Sequence, residues 1–151
     1  MKRALCAILL FGLIQVSALA GEPAGLTKVP SAHDVATTAD RLTAALDAKG
    51  LTVFARIDHA AGAAKAGMEL APTELVIFGN PKLGTALMHC GHTAAIDLPL
   101  KALVWQDAEG KVWLAYNTPE FLAQRHDLAG CDEALAKMGV ALAKFAEAAT
   151  Q

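Results

Sequence analysis

The stretch KALVWQDAEGKVWLAYN, residues 101–117, decides the fold class. Two apolar runs flank the turn-like tetrapeptide Asp107-Ala108-Glu109-Gly110, so the sequence predicts an antiparallel β-hairpin. Pairing Gln106 with Lys111 would place Leu103, Trp105, Val112 and Leu114 on one face, and Val104 and Trp113 on the other. Both faces are then apolar, and helices can cover only part of them. We therefore expect a homodimer in which a partner subunit buries the second face.

Helical and extended segments precede this hairpin. Apolar residues at helical spacing predict a helix from about His33 to Lys49, which Ser31 begins as a cap. LTVFARID, residues 51–58, alternates as a strand, and TELVIFGNP predicts a buried strand that ends in a turn. Short helices are expected over about residues 60–67 and 81–88. The first of these strands would carry one face made of Leu51, Val53, Ala55 and Ile57.

Two helices are predicted after the hairpin. Thr118-Pro119 is a good helix start, since threonine caps and proline suits the first helical position. In the last helix an apolar stripe carries Cys131 one turn before its other members, which are Leu135, Met138, Leu142 and Phe145. The whole pattern predicts an α/β chain of the α+β kind, a single compact domain with a small, mainly antiparallel sheet backed by helices.

The chain begins with the features of a secretory signal peptide. Lys2 and Arg3 precede an apolar run and the small residues Ala18-Leu19-Ala20. A membrane anchor is the competing interpretation, but the run is shorter than the roughly 20 residues that a spanning helix needs. We therefore expect cleavage after Ala20, export to the periplasm or the medium, no membrane anchor afterwards, and one domain over residues 21–151.

Removing Lys2 and Arg3 leaves 11 basic against 15 acidic side chains, a formal charge of −4. Nothing in that balance attracts nucleic acid or anionic lipid. Motifs for phosphate binding and for a nucleophile elbow are absent, and without CXXCH covalent haem attachment is excluded.

Two cysteines, Cys90 and Cys131, remain after cleavage, and an oxidising compartment lets disulfides persist. The first interpretation is one disulfide that closes a segment of about 40 residues. The second uses His89, Cys90 and His92 as copper or zinc ligands, because two imidazoles and a thiolate suit both metals. The two exclude each other, since a disulfide sulfur is not a thiolate ligand. A redox switch between them is a third option.

A second candidate site begins at Asp58-His59, at the end of a predicted strand. Histidine is the usual base in acid–base catalysis, although adjacent strand residues point to opposite faces, so Asp58 would not orient it. If the strand continues, His59 turns inward, either as a buried histidine or into a ligand pocket. Other residues near strand or loop ends that would line such a pocket are Asn80, Asp97 and Tyr116. His33 and His126 are expected on the surface.

Two longer runs carry a resemblance to a known family. VFARIDHAAGAAKAGMELAPTELVIFGNPKLGTALM and AIDLPLKALVWQDAEGKVWLAYNTPEFL resemble the bacterial domain-of-unknown-function family numbered 302 over nearly the whole mature chain. The resemblance implies a compact α/β domain and dimerisation, and it brings no established catalytic residues. This chain departs from the family pattern at Ala86, where proline is usual, and at His89, Cys90 and His92, so that cluster would belong to a subgroup.

The sequence favours an exported accessory protein that binds a small ligand or a metal. One alternative is an unrecognised hydrolase or isomerase that uses His59. The other is a structural, dimeric interaction domain.

Overall fold

The computed structural model describes residues 24–151, so the predicted signal peptide, residues 1–20, lies outside the described residues. The described part contains five strands and five α-helices, with a short 3₁₀ helix after the third. The strands are β1 (Leu26–Pro30), β2 (Thr52–Asp58), β3 (Thr73–Gly79), β4 (Leu100–Gln106) and β5 (Val112–Asn117). The helices are α1 (Val35–Ala48), α2 (His59–Lys65), α3 (Pro81–Cys90), α4 (Pro119–His126) and α5 (Asp132–Thr150), and the 3₁₀ helix is His92–Ile96.

All five strands of the described chain join one antiparallel sheet in the order β1-β5-β4-β3-β2. Helices α1 and α5 pack on each other and cover one face of that sheet. The core lies between these layers, where Leu42, Val104, Leu114 and Met138 are almost fully buried. The fold is therefore a single α+β domain in which helices back one face of an antiparallel sheet, as the sequence predicts. Within residues 24–151, no helix combines the length and hydropathy needed to cross a bilayer.

The predicted hairpin is present, but its predicted register is wrong by one residue. Gln106 pairs with Val112 and not with Lys111, so the loop holds five residues and Gly110 takes a positive φ of 80°. The Asp107 carboxylate holds this longer loop by accepting the backbone N–H groups of Glu109 and Lys111. A one-residue shift turns every side chain of one strand to the other face. Observed cross-strand neighbours are therefore Trp105 with Trp113 and Val104 with Leu114.

The single apolar face predicted for β2 is also wrong, because the register shifts between Val53 and Ala55. Val53 pairs with Phe78 on the helix-covered face. Beyond this irregularity Ile57 pairs with Leu75, which lies on the uncovered face. An extra residue in one strand of an antiparallel pair has this effect, and the sequence carries no clear sign of it.

The starts of two segments also differ from expectation. Asp34, and not Ser31, caps α1, since its carboxylate accepts the Thr37 N–H at 2.7 Å. Ser31 instead shares a 2.7 Å hydrogen bond with the Thr38 hydroxyl. The sequence does not predict strand β1, because its five residues are too few to show a clear periodicity.

Candidate functional site

The predicted disulfide is present and joins the end of α3 to the start of α5. The Cys90 and Cys131 sulfurs are 2.03 Å apart, and the Cα atoms are 6.2 Å apart. Cys131 precedes α5 and is only 6% exposed, as expected for a member of the apolar stripe of that helix. The bond therefore fixes the last turn of α3 against the core.

The disulfide removes the central donor of the expected copper or zinc site. The Cys90 sulfur is bonded to Cys131 and is therefore not a thiolate ligand. The neighbouring His89 and His92 are exposed. Helix α3 continues through Cys90, and Gly91 then interrupts it before the 3₁₀ helix begins. Across residues 24–151 no three histidine, cysteine or acidic side chains are grouped so that they could hold a metal ion. Metal binding by these three residues is therefore incompatible with the oxidised chain.

A cavity of about 310 Å³ lies beside α3, between that helix, the 3₁₀ segment and the β2–β3 edge. Its lining is mostly apolar and includes Phe54, Leu87, Met88, Leu98 and Met138. Of its polar lining residues, Asn80 is already engaged, because its side-chain oxygen accepts the Lys82 N–H at 2.9 Å and caps α3. The cavity is thus suited to apolar groups and offers few polar contacts.

Two glycines leave room in this cavity. A Cβ atom at Gly79 would meet Pro99 at 3.4 Å and Phe54 at 3.6 Å, and one at Gly84 would meet only Leu98 at 3.9 Å. All three distances correspond to ordinary van der Waals contact. A larger side chain at Gly84 would therefore enter the cavity without a clash at its first atom.

The structure does not bring the four predicted pocket residues together. β2 ends at Asp58, whose carboxylate accepts the Ala61 N–H at 2.8 Å and caps α2. His59 is consequently the first residue of α2 and is exposed, so the strand does not continue through it, and the inward orientation that a continued strand would give is absent. Asp97 and Tyr116 line a void of only about 10 Å³, too small for a ligand. Asn80 alone of the four lines the larger cavity.

His126 is the important residue that sequence reasoning missed. It was expected on the surface, yet its side chain is 4% exposed. Its Nε2 lies 2.6 Å from Asp97 Oδ2, and its Nδ1 lies 3.1 Å from the Thr93 hydroxyl. Arg125 adds a 3.0 Å contact to the same Asp97 oxygen. With Nε2–H donating to Asp97, Nδ1 accepts the hydroxyl proton of Thr93, and both ring nitrogens are satisfied.

The contacts that His126 makes with Thr93 and Asp97 hold the 3₁₀ segment, which forms one wall of the cavity. Thr93 belongs to the 3₁₀ helix and Asp97 directly follows it, whereas His126 ends α4. The cavity residues Ala95 and Leu98 lie in and just after that helix. Since the partners are separated by 29 and 33 residues, no local sequence signal reveals the contact.

The uncovered face of the sheet carries both tryptophans and a cation. The Lys28 ammonium lies 3.7 Å from the centre of the Trp113 ring and 5.4 Å from that of Trp105. Trp113 Nε1–H also donates to Asp107 Oδ2 at 2.6 Å, and this hydrogen bond is the main cause that lowers the pKa of the Asp107 carboxyl. The face is therefore apolar in its middle and fixed by polar contacts at the hairpin end.

Comparison with known proteins identifies a family and a fold. The family model described as "Domain of unknown function DUF302" matches residues 27–145. The crystal structure of an uncharacterized conserved protein DUF302 from Bacillus stearothermophilus superposes on this chain with a TM-score of 0.75 at 18% identity, over 84% of this chain and 99% of that one. At that identity the likeness shows the fold alone.

Curated relatives come from Brucella. "Fluoride-specific ion channel FluC 1" of Brucella suis biovar 1 is 54% identical over 104 residues, which are 69% of this chain and 41% of that protein. The protein of the same name from Brucella abortus biovar 1 matches equally, over 38% of its length. The matched region thus spans about two fifths of these relatives.

Proposed function

Since this chain belongs to the family described as "Domain of unknown function DUF302", we propose that it is an exported accessory protein that binds a small apolar ligand in the cavity beside α3. The observation that carries this proposal is the cavity itself, about 310 Å³ in volume and lined mostly by apolar side chains. Small-molecule sites have volumes of about 300 to 1,000 Å³ and combine an apolar lining with a few polar groups.

The walls of the cavity are held from several directions, which supports a pre-formed site. The disulfide fixes the end of α3, and Asn80 caps its start. On the other side, the His126–Asp97 contact fixes the 3₁₀ segment. A pre-formed site loses little conformational entropy when a ligand enters. The ligand we expect is uncharged over most of its surface, because no charged side chain lines the cavity.

The test replaces Gly84, whose side chain would enter the cavity, with leucine. The mature, oxidised protein is titrated with the neutral fluorescent probe N-phenylnaphthylamine, whose emission rises in apolar sites. We expect the wild type to bind the probe and Gly84→Leu to lose that binding. Gly62→Leu in α2 is the matched control, because a side chain there meets nothing within 4 Å. No binding by the wild type, or equal binding by Gly84→Leu, would refute the proposal.

Export is tested separately by cell fractionation. The mature chain beginning at Gly21 is expected outside the cytoplasm. Recovery of the uncut chain from the cytoplasm would contradict this part of the proposal.

A second candidate function, a homodimeric interaction domain, is favoured by the uncovered face of the sheet. Leu75, Leu103, Trp105 and Trp113 are only partly buried there, and Ile57 is 39% exposed. Contiguous apolar patches of this kind are typical of association surfaces. A glutamate in the centre of the patch would be desolvated in such a dimer.

Sedimentation of Leu103→Glu tests the dimer. The wild type is expected to sediment as a dimer at micromolar concentration and Leu103→Glu as a folded monomer. Ile96→Glu is the control, because Ile96 is 73% exposed and lies outside the sheet. A monomeric wild type would argue against this role.

The Brucella relatives support an accessory role for this chain. They are named as fluoride-specific ion channels, and the region matching this chain is a minor share of their length. We therefore expect this chain, expressed alone in a fluoride-sensitive bacterium, to give no fluoride resistance. Resistance from this chain alone would instead support a role in fluoride transport.

A further inference from the structure

A second, larger concavity lies on the other side of α3, between that helix and α5. This groove has a volume of about 1080 Å³. Its floor is apolar and includes Leu51, Leu83, Val140, Ala141 and Phe145, and the disulfide lies at its edge. Val140 is 58% exposed although it is a large apolar residue. The groove therefore presents a strip of apolar surface to solvent.

Four lysines surround this strip on a chain whose formal charge is −2. They come from three separate parts of the chain and are Lys49, Lys82, Lys137 and Lys144. Glu133 is the one carboxylate in the lining, and it lies 2.6 Å from the ammonium group of Lys137. That hydrogen bond lowers the pKa of the Glu133 carboxyl, so the pair stays ionised and its charges cancel. Three lysines then give the groove a net positive charge.

These charges are unevenly distributed along the groove. Cys90 ends α3 and Cys131 precedes α5, so the disulfide and the neutral Glu133–Lys137 pair lie at the same end. Lys144 is 13 residues beyond Cys131, which is about 20 Å along a helix at 1.5 Å per residue. Lys82 lies at the opposite end of α3 from Cys90. The groove therefore has a cationic end and a neutral end, with the apolar strip between them.

We propose that this groove binds a long-chain carboxylate, a free fatty acid, with its carboxylate at the lysine end and its tail along the apolar strip towards the disulfide. Lysine ammonium groups attract an anionic headgroup, and their aliphatic stems add apolar contact beside the tail. A ligand with a charge at one end and a long apolar remainder matches the uneven distribution of charge. The proposal concerns a site separate from the cavity on the other side of α3.

Two quantitative consequences follow from this geometry. Each additional methylene that enters the strip should tighten binding about fourfold, the equivalent of the hydrophobic free energy of one buried methylene. The headgroup contribution should fall with added salt, because the lysines are near the surface and exposed charges are screened within about 10 Å at 0.1 M ionic strength. Chain length and salt thus report on the two ends of the ligand separately.

The experiment is isothermal titration calorimetry of the mature, oxidised protein with octanoate, decanoate and dodecanoate, below their micelle concentrations. Dodecyltrimethylammonium, which has the same tail as dodecanoate and the opposite charge, is the control ligand. Affinity should rise with chain length, and the cation should bind at least about tenfold more weakly, because its charge meets lysines of like sign. Equal affinity for both charges, or no dependence on chain length, would overturn the proposal.

Variants locate the ligand. Lys82→Gln and Lys144→Gln should each weaken dodecanoate binding at low salt, whereas Lys65→Gln in α2 should not. Val140→Asp should weaken it more, since it places a carboxylate in the strip, and its exposed position leaves the core intact.

The cavity variant Gly84→Leu separates this proposal from the proposed function. It should leave dodecanoate binding unchanged. If it abolishes that binding while the lysine variants do not, the fatty acid occupies the cavity, so the groove proposal fails and the proposed function gains support. If polyglutamate binds the lysine end and dodecanoate does not bind at all, the groove takes an acidic chain and the proposal fails.

Discussion

Removal of the disulfide should cost this protein a large part of its stability. The bond closes a loop with a sequence separation of 41 residues. The loop-closure entropy of a chain segment of that length corresponds to about 4 kcal/mol at 25 °C in the chain-entropy model. Domains of this size are stable by about 5 to 15 kcal/mol, so Cys90→Ala/Cys131→Ala should remain folded with a much smaller margin.

The assay is urea unfolding followed by the fluorescence of Trp105 and Trp113, which lie on the sheet. We expect the double variant to unfold with a free energy about 4 kcal/mol below that of the oxidised wild type. Wild type held in a strong reductant is the control, because it loses the bond and keeps both sulfur atoms. Should both samples unfold within about 1 kcal/mol of the oxidised protein, the loop-closure argument is wrong for this chain.

Three further predictions concern other fixed points of the fold. A positive φ costs an alanine about 1–2 kcal/mol. Gly25→Ala should lower the free energy of unfolding by more than this, because its Cβ would also lie 2.5 Å from a carbon of Phe121. Gly50→Ala, whose Cβ would meet nothing within 4 Å, should show only the cost of the positive φ in urea unfolding. Asp97→Ala should cost about 1–3 kcal/mol in thermal unfolding because it leaves a buried imidazole without its partner. The Trp113 hydrogen bond lowers the pKa of the Asp107 carboxyl, so its stabilisation is present above the ordinary aspartate range and is lost as pH falls through the lowered value. Asp107→Asn should lack that acid-dependent loss in urea midpoints measured at falling pH, and identical profiles would contradict the assignment.

The elements with strong periodicity or clear end signals could be predicted from the sequence. Thr118-Pro119 begins α4, and the apolar stripe of α5 is buried as expected. The register of the strand pairs could not be predicted from the sequence, because it depends on single residues outside the apolar pattern. The Asp107 carboxylate stabilises a loop one residue longer than predicted, and this shift exchanges the two faces of β5. An irregularity after Val53 does the same to part of β2.

The candidate site was harder to predict than the fold, because its members meet only through tertiary packing. Cysteine chemistry and the expected compartment were enough to propose Cys90–Cys131, since only one pairing is left once the predicted signal peptide is set aside. Asp97 was singled out, but its partner was not, since His126 lies 29 residues away and shares no local pattern with it. His59 was proposed as a pocket residue but lies on the surface. Its neighbour Asp58 caps a helix, which ends the strand one residue too early for an inward-facing side chain.

Helix α3 connects these observations, because it separates the cavity from the lysine-bordered groove. Its residues Gly84 and Met88 line one concavity, Lys82 and Ala86 line the other, and Leu83 contributes to both. A helix of ten residues has little stability of its own, so its position depends on its anchors. The Asn80 cap holds one end, and the disulfide holds the other. The HCGH segment, which suggested a metal site, therefore acts through its cysteine as the support that shapes both candidate binding surfaces. Reduction would release the wall that the two surfaces share, so the export proposed above would keep both surfaces in shape by holding the bond oxidised.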